Sequence, residues 1–275
     1  MTGCYICTTC GAQFAPTDDP PQRCPICEDE RQYVGWSGQQ WTTLDDLRQK
    51  HKNQLRDDLG LVGVGTQPSF AIGQRALLVQ TPHGNLLWDC ITLIDDETVD
   101  EVRTLGGIDA IAISHPHYYS SMVEWSRAFD APVLLHDADR QWVMRADPCV
   151  EFWSGETKTL WDGMTLIRVG GHFEGGTVLH CPAGAEGRGA LLTGDILQVA
   201  QDRRWVSFMY SFPNYIPLPA AEIERIASAV EPFEFERIYG AWWDRNVASD
   251  AKNAVRRSAE RYQRALGDVR NSASR

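Results

Sequence analysis

The feature that most restricts how this chain can fold is a group of cysteines at its start. Cys7 and Cys10 form one CxxC pair, followed by Gly11, and Cys24 and Cys27 form a second with Pro25 inside it. Each pair presents two thiolates from one tight turn, and two such pairs match the tetrahedral demand of Zn²⁺. So short a segment cannot build an apolar core, so a bound metal would supply the free energy that folds it. The alternative is a pair of redox-active CxxC motifs. Cys4 and Cys7 make a further CxxC, but the turn glycine after Cys10 favours Cys7 as the ligand. Residues 1–35 are therefore read as a zinc ribbon carrying one structural zinc on Cys7, Cys10, Cys24 and Cys27.

Five of the eight cysteines fall within the first 27 residues, and the stretch Met1 to Cys10 lacks the basic and apolar regions of an export signal. Clustering of this kind favours a metal over disulfides and leads to the expectation of a cytoplasmic protein. A net charge of −11 argues against nucleic acid or an anionic membrane as partner. No apolar run reaches the ~18 residues of a membrane span. The ribbon sets Arg23 and Arg31 against Asp18, Asp19, Glu28, Asp29 and Glu30, the wrong sign for a nucleic-acid finger. A structural or dimer-contact role fits it better, so a homo-oligomer is one expectation.

A hydrophobic content of 43% suits one large globular domain behind the ribbon. Residues 36–59 are expected to be a linker with a helix over Trp41–Lys52, capped by Thr42 or Thr43 with Asp45 and Asp46 in its first turn. Residues 60–270 are expected to form the main domain. Its apolar stretches Phe70–Val79, Leu86–Ile91, Ala110–Ile113, Val133–Leu135, Met164–Val169, Thr177–His180, Ala190–Leu192 and Arg237–Tyr239 read as strands. Thr98–Leu105, Tyr119–Phe129, Ala138–Arg145, Ala220–Val230 and Ser249–Leu266 read as helices. The tail Asn271–Arg275 is expected to fray. Early hairpins followed by strand–helix alternation are compatible with a layered αββα sandwich of the α/β (α+β layered) class, although the pattern also allows other α/β arrangements.

Chemistry concentrates at strand ends. The stretch Ile108–Ile113 leads into Ser114-His115-Pro116-His117-Tyr118-Tyr119-Ser120, and two histidines at i and i+2 in extended backbone would face one side. Gly170-Gly171-His172 is a glycine-rich turn before a strand, and Thr193-Gly194-Asp195 ends another. Singly, His172 or Asp195 is more often a structural hydrogen bonder; their order and placement together are far more specific. His136, beside Asp137 and Asp139, is a possible extra ligand but more often a satisfied loop histidine. His180, His83 and His51 read as core, hairpin and linker residues. The aromatic segment Trp205–Pro219 reads equally well as a pocket wall or as a packed or dimer-contact loop.

Over roughly Gly60 to Leu266 these motifs resemble the metallo-β-lactamase superfamily, which carries HxHxDH after a strand, then a GH turn, a TGD and a last histidine. The resemblance implies an αββα sandwich with its metals at one edge of the sheets. It implies His115, His117 and His172 as ligands of a first metal and Asp195 as the aspartate that bridges to a second. It also implies Asp89 as the early-strand aspartate lying behind the ligands. Two features depart from the pattern: Tyr119-Ser120 stands where the family has Asp-His, and Gly240-Ala241-Trp242-Trp243-Asp244 holds no terminal histidine. One body metal rather than two is therefore expected. Three histidines with an open position are a catalytic zinc arrangement; Fe or Mn would also suit these ligands.

The function this implies is a metal-dependent hydrolase of a small, uncharged, apolar ester, thioester, lactone or amide. A metal on neutral histidines lowers the pKa of bound water towards ~7, giving one metal-bound hydroxide. Asp195 would orient that water or take its proton, and Tyr119 or Ser120 would hydrogen-bond the developing oxyanion. The alternative is a non-catalytic, regulatory or binding protein that keeps the fold.

Overall fold

The structure, a computed structural model, describes residues 3–267. The tail Asn271–Arg275 lies outside the described residues. Two sheets carry the main domain. The first has seven strands in the order Lys52–Asp58, Leu61–Gln67, Ala76–Thr81, Gly84–Trp88, Ala110–Ala112, Val133–His136 and Val150–Trp153. Its first four strands are an antiparallel meander and the last three join in parallel. The second has six strands in the order Thr157–Thr159, Thr165–Arg168, Thr177–Cys181, Ala190–Gly194, Arg237–Gly240 and Asn246–Val247.

Alternation along the strands builds four layers. Leu77, Val79, Leu86 and Trp88 face Leu166, Leu179, Leu192 and Tyr239 in the core between the sheets. Their neighbours Leu78, Leu87 and Ile111 point the other way, onto Val99 and Val102 of helix Asp96–Thr104 and Trp125 of helix Met122–Phe129. On the far side, Ile167, Val178, Leu191 and Ile238 pack against Ile223 and Ile226 of helix Ala220–Val230 and Ala254 and Val255 of helix Ala251–Ala265. Apolar residues in both registers of a strand require cover on both faces, and the helices provide it. No helix among the described residues is long and apolar enough to cross a membrane.

Several sequence expectations need correction. The sheet begins at Lys52, inside the stretch 36–59 expected as a linker, because Lys52–Asp58 and Leu61–Gln67 form a hairpin. The first of these strands is mostly polar and the second carries Gly63 and Gly65, so neither shows the usual apolar alternation. What holds them lies far along the chain. The indole of Trp243 lies against both glycines, where a Cβ on Gly63 would come within 2.4 Å of it. The linker helix is shorter than expected, Leu44–Lys50, with Thr43 accepting from the Asp46 N–H. Residues Ala138–Arg145 do not form an α-helix; Asp137–Trp142 is a 3₁₀ turn. The strand expected from Phe70 starts only at Ala76, after a turn through Gly73.

The ribbon also reaches past residue 35. Ile6–Cys7 pairs with Trp41–Thr42, and Ile6 packs with Leu47 and Leu93 of the body. Gln13 N–H donates to Ser120 O, Ala15 N–H to Met144 O, and the Thr92 hydroxyl to Gly11 O. The ribbon is thus docked on the body along its length.

Candidate metal centres

In the ribbon, Cys7, Cys10, Cys24 and Cys27 are buried and their sulfurs all lie within 4.8 Å of one another. Gly11 turns the first knuckle at φ +82, and the second is closed by the Cys27 N–H on Cys24 O. Crowding sets the thiols against each other. Hydrogen bonding with Cys10 and its neighbours pulls Cys7 well down, whereas contact with Cys24 pushes Cys10 well up. Four thiolates can coexist at such distances only around a cation. Cys4 stands outside the group, and Gln39 donates an N–H to the Cys7 sulfur over 3.2 Å.

In the body, Ala110–Ala112 delivers His115 in extended backbone, but the chain then turns 3₁₀ through Pro116–Tyr118. The expected extended i, i+2 pair is therefore absent. The rings of His115 and His117 nevertheless lie 5.2 Å apart, and His172 comes within 5.0 Å of each. The three donor nitrogens lie within 4.8 Å of one another. Ser114 Oγ sits 2.9 Å from His115 Nδ1, so that Nε2 faces inward. His172 Nδ1 lies 2.8 Å from Tyr210 O, which fixes its proton there and leaves Nε2 free, 3.1 Å from His117 Nδ1. Burial holds His115 and His117 well below the usual histidine range and His172 at about 4, so all three are neutral imidazoles at pH 7.

Asp195 follows the strand Ala190–Gly194, and its Oδ1 lies 3.2 Å from His115 Nε2. Gly194 makes this approach possible: at φ +55 a Cβ there would meet Ser114 Oγ at 2.6 Å. Burial raises Asp195 to about 7. Asp89 sits behind the histidines, accepting the Ser114 N–H over 2.8 Å, and burial raises it too to about 7. His115 Nε2, His117 Nε2, Tyr118 Oη and Asp195 Oδ1 are buried with no hydrogen-bond partner. Unpaired buried polar atoms are costly, and three neutral imidazoles beside a carboxylate are the donor set of a divalent metal. The residues fit one.

Tyr119 and Ser120, expected beside the reacting atoms, lie elsewhere. Tyr119 is packed in the core under the first sheet. The Ser120 hydroxyl donates to Cys90 O and accepts from the Gln74 amide. Tyr118 instead stands 4.4 Å from the His115 ring, and Asp195 is among the groups that hold its phenol above the usual range after burial. His136 is satisfied by Gly155 O and the Ala138 N–H and does not join the cluster. In the position of the missing terminal histidine, Ala241 is buried and the Trp242 indole donates to Ile72 O. The aromatic segment divides: Phe212 stands 5.7 Å from the His172 ring, Phe208 is core, and Tyr215 is exposed.

Sequence reasoning missed the neighbours contributed by chain folding. Phe173 touches all three histidine rings. Arg31, from the ribbon, lies 4.0 Å over Phe173 and donates to His172 O over 3.3 Å. Its local ion pair with Asp29 does not single it out, because the contacts that bring it to the site, to His172 and Phe173, are more than a hundred residues away.

No family model matches the chain. YmaE, an uncharacterized protein of Bacillus subtilis (strain 168), is 54% identical over 265 residues, covering 95% of this chain and 96% of its own. Among solved structures, the DIM-1 metallo-β-lactamase exposed to ceftazidime superposes with a TM-score of 0.57 at 15% identity, covering 77% of this chain and 98% of its own. A B3 metallo-β-lactamase with an active-site glutamic acid superposes at 0.53 and 16% identity, covering 91% and 96%. These likenesses establish the fold. The chain belongs to the same family as YmaE, and it is a metallo-β-lactamase-fold protein with a four-cysteine ribbon at its N-terminus.

Proposed function

We propose that the chain is a metal-dependent hydrolase working on a small, uncharged, apolar acyl compound, with zinc as its metal in both groups. The observation that carries this reading is the convergence of His115, His117 and His172, with Asp195 set against His115 and with buried, unpartnered donor atoms on His115, His117 and Asp195. His115, His117 and His172 would hold the metal, with Asp195 beside them. When bound, a divalent metal polarises a substrate carbonyl and makes water acidic enough to attack at neutral pH. Asp195, raised to about 7, can take or hold a proton at Oδ1 near neutral pH. The phenol of Tyr118, rather than Tyr119, is the donor placed to steady Asp195 or a developing oxyanion. Phe173, Phe212 and Tyr118 make the surroundings apolar, which supports an uncharged substrate.

One observation favours the second reading, a non-catalytic binding or regulatory protein. His115, His117 and His172 are 1%, 3% and 0% exposed, so substrate cannot reach them in this conformation. A screen of aryl esters, thioesters and lactones with zinc-loaded wild type and zinc-loaded Arg31→Ala, which lacks the side chain stacked on Phe173, decides between the two. Turnover that falls about 10²–10⁴-fold in kcat in Asp195→Asn supports the hydrolase. Turnover no greater than that of His115→Ala leaves the non-catalytic reading. Tyr118→Phe should cost about 10²–10³-fold if its hydroxyl meets the oxyanion.

A further inference from the structure

The sealing of the histidine site has an identifiable cause. The cover comes from the ribbon, at residues 29–32, laid against Tyr210–Asn214 of the body. Arg31 is 6% exposed and stacks on Phe173, which in turn touches every histidine ring. Its Nη1 donates to His172 O, and its Nε and Nη2 fork onto Asp29 at 2.6 and 3.0 Å. Around it, Ser211 donates to Arg31 O, the Asn214 amide donates to both Glu30 O and Gln32 O, and the Tyr210 hydroxyl donates to Glu30. These contacts are hydrogen bonds, an ion pair to Glu174 and the stacking of one guanidinium on Phe173, Trp142 and Tyr210, rather than interlocked apolar side chains. Such a seam is held in register by the ribbon's own shape and opens when that shape is lost.

The ribbon's shape depends on the cysteines. Hydrogen-bonded turns run without a break from the second knuckle to the seam: Cys27 N–H to Cys24 O, Asp29 N–H to Pro25 O, and Gln32 N–H to Asp29 O. Trp142 forms a second link. It packs against the cysteine cluster, lies 5.7 Å from Phe173, and has Arg31 5.2 Å over its ring.

We propose that the ribbon is a lid on the histidine site, and that metal occupancy of its four cysteines sets whether the lid is shut. With the cysteines loaded, Arg31 and Trp142 hold the site closed; with them empty, residues 29–32 leave Phe173 and the histidines open to solvent. A metal in the histidine site is then trapped by loading the ribbon. This rests on the reading of the three histidines as a metal site, and the experiment separates the two.

Full-length protein loaded with zinc is mixed with a chromophoric chelator, and release is followed in time for the wild type, Arg31→Ala and Trp142→Ala. Both variants keep all seven proposed ligands. Release of the zinc that His115→Ala lacks should be at least about tenfold faster in each variant, with unchanged zinc per chain at the start. Equal rates in wild type and both variants overturn the lid. In parallel, proteins with no metal on the histidines are treated with diethyl pyrocarbonate and the His115–His117 and His172 peptides are read by mass. Wild type with one equivalent of zinc held by the cysteines should be protected, whereas metal-free wild type, Cys24→Ser, and Arg31→Ala with one equivalent of zinc should be modified. Equal modification overturns the lid. If wild-type protein binds no zinc beyond the ribbon's, the metal reading fails, while the modification arm still decides whether the ribbon covers the histidines. If Cys24→Ser does not fold by circular dichroism, Arg31→Ala, with its cysteines intact, carries that arm.

Discussion

Oδ1 of Asp195 lies 3.2 Å from Nε2 of His115, and neither atom is hydrogen-bonded. Leaving two buried polar atoms unpaired costs about 1–3 kcal/mol each. A cation held between them removes that cost, which is why the site reads as built for one.

Metal content should follow. The purified protein should carry at most two metals per chain, one on the cysteines and one on the histidines. His115→Ala combined with His117→Ala should lose one and Cys24→Ser the other. Elemental analysis of the three proteins checks this. A metal pair ~3.5–4 Å apart beside Asp195, seen by anomalous scattering, would refute the single body metal.

Just before the strand Ala76–Thr81, Arg75 bonds Asp58 of the first hairpin, donates to Gly240 O at 2.5 Å and reaches Asn246 at 3.0 Å, and the side chains of Arg75, Asp58 and Asn246 are buried. Asp58→Ala strands the guanidinium without its counter-charge. Removing one partner of a buried pair costs about 3–5 kcal/mol. Urea unfolding should show that loss; a change below about 1 kcal/mol would mean that water reaches Arg75 in the folded protein.

Trp243 and Gly63 should prove coupled. A Cβ at Gly63 would sit 2.4 Å from the indole, and overpacking of this kind costs about 1–3 kcal/mol. In a Trp243→Ala background the Gly63→Ala penalty should largely vanish, and a double-mutant cycle measures the difference. Additive effects would show that the strand tolerates a methyl group for another reason.

Asp139 gives a pH-dependent test away from the histidines. Burial pushes its carboxyl up to about 7, against the stabilising Gly175 N–H on Oδ1 at 2.9 Å, with Glu174 adding repulsion. Its folded pKa lies above the unfolded value of ~3.9. Its contribution to stability is therefore complete below ~3.9 and is lost as pH rises through about 7. Asp139→Asn keeps an acceptor for Gly175 and cannot ionise. It should raise stability by on the order of 1 kcal/mol at pH 8.5 and by less at pH 6. An equal change at both pH values would count against the assignment.

The local signals in this chain reached as far as local physics reaches. CxxC spacing brought four sulfurs together because each knuckle is a short turn with its own glycine or proline. The apolar stretches Phe70–Val79 and Leu86–Ile91 announced two strands, which run over Ala76–Thr81 and Gly84–Trp88. The order His115, His117, His172, Asp195 picked out side chains that the fold brings together, because each follows closely on a strand, a position set by a few neighbouring residues. Tertiary structure decided the rest. Lys52–Asp58 is a strand only because Trp243 and Arg75 hold its hairpin. Tyr118 rather than Tyr119 faces the histidines because the chain turns 3₁₀ at Pro116, rotating each side chain off the alternation that an extended strand would give. Arg31 closes the histidine site from the ribbon, and no window of sequence carries that fact, because a stacking contact between residues 31 and 173 is set by how two separately folded surfaces meet.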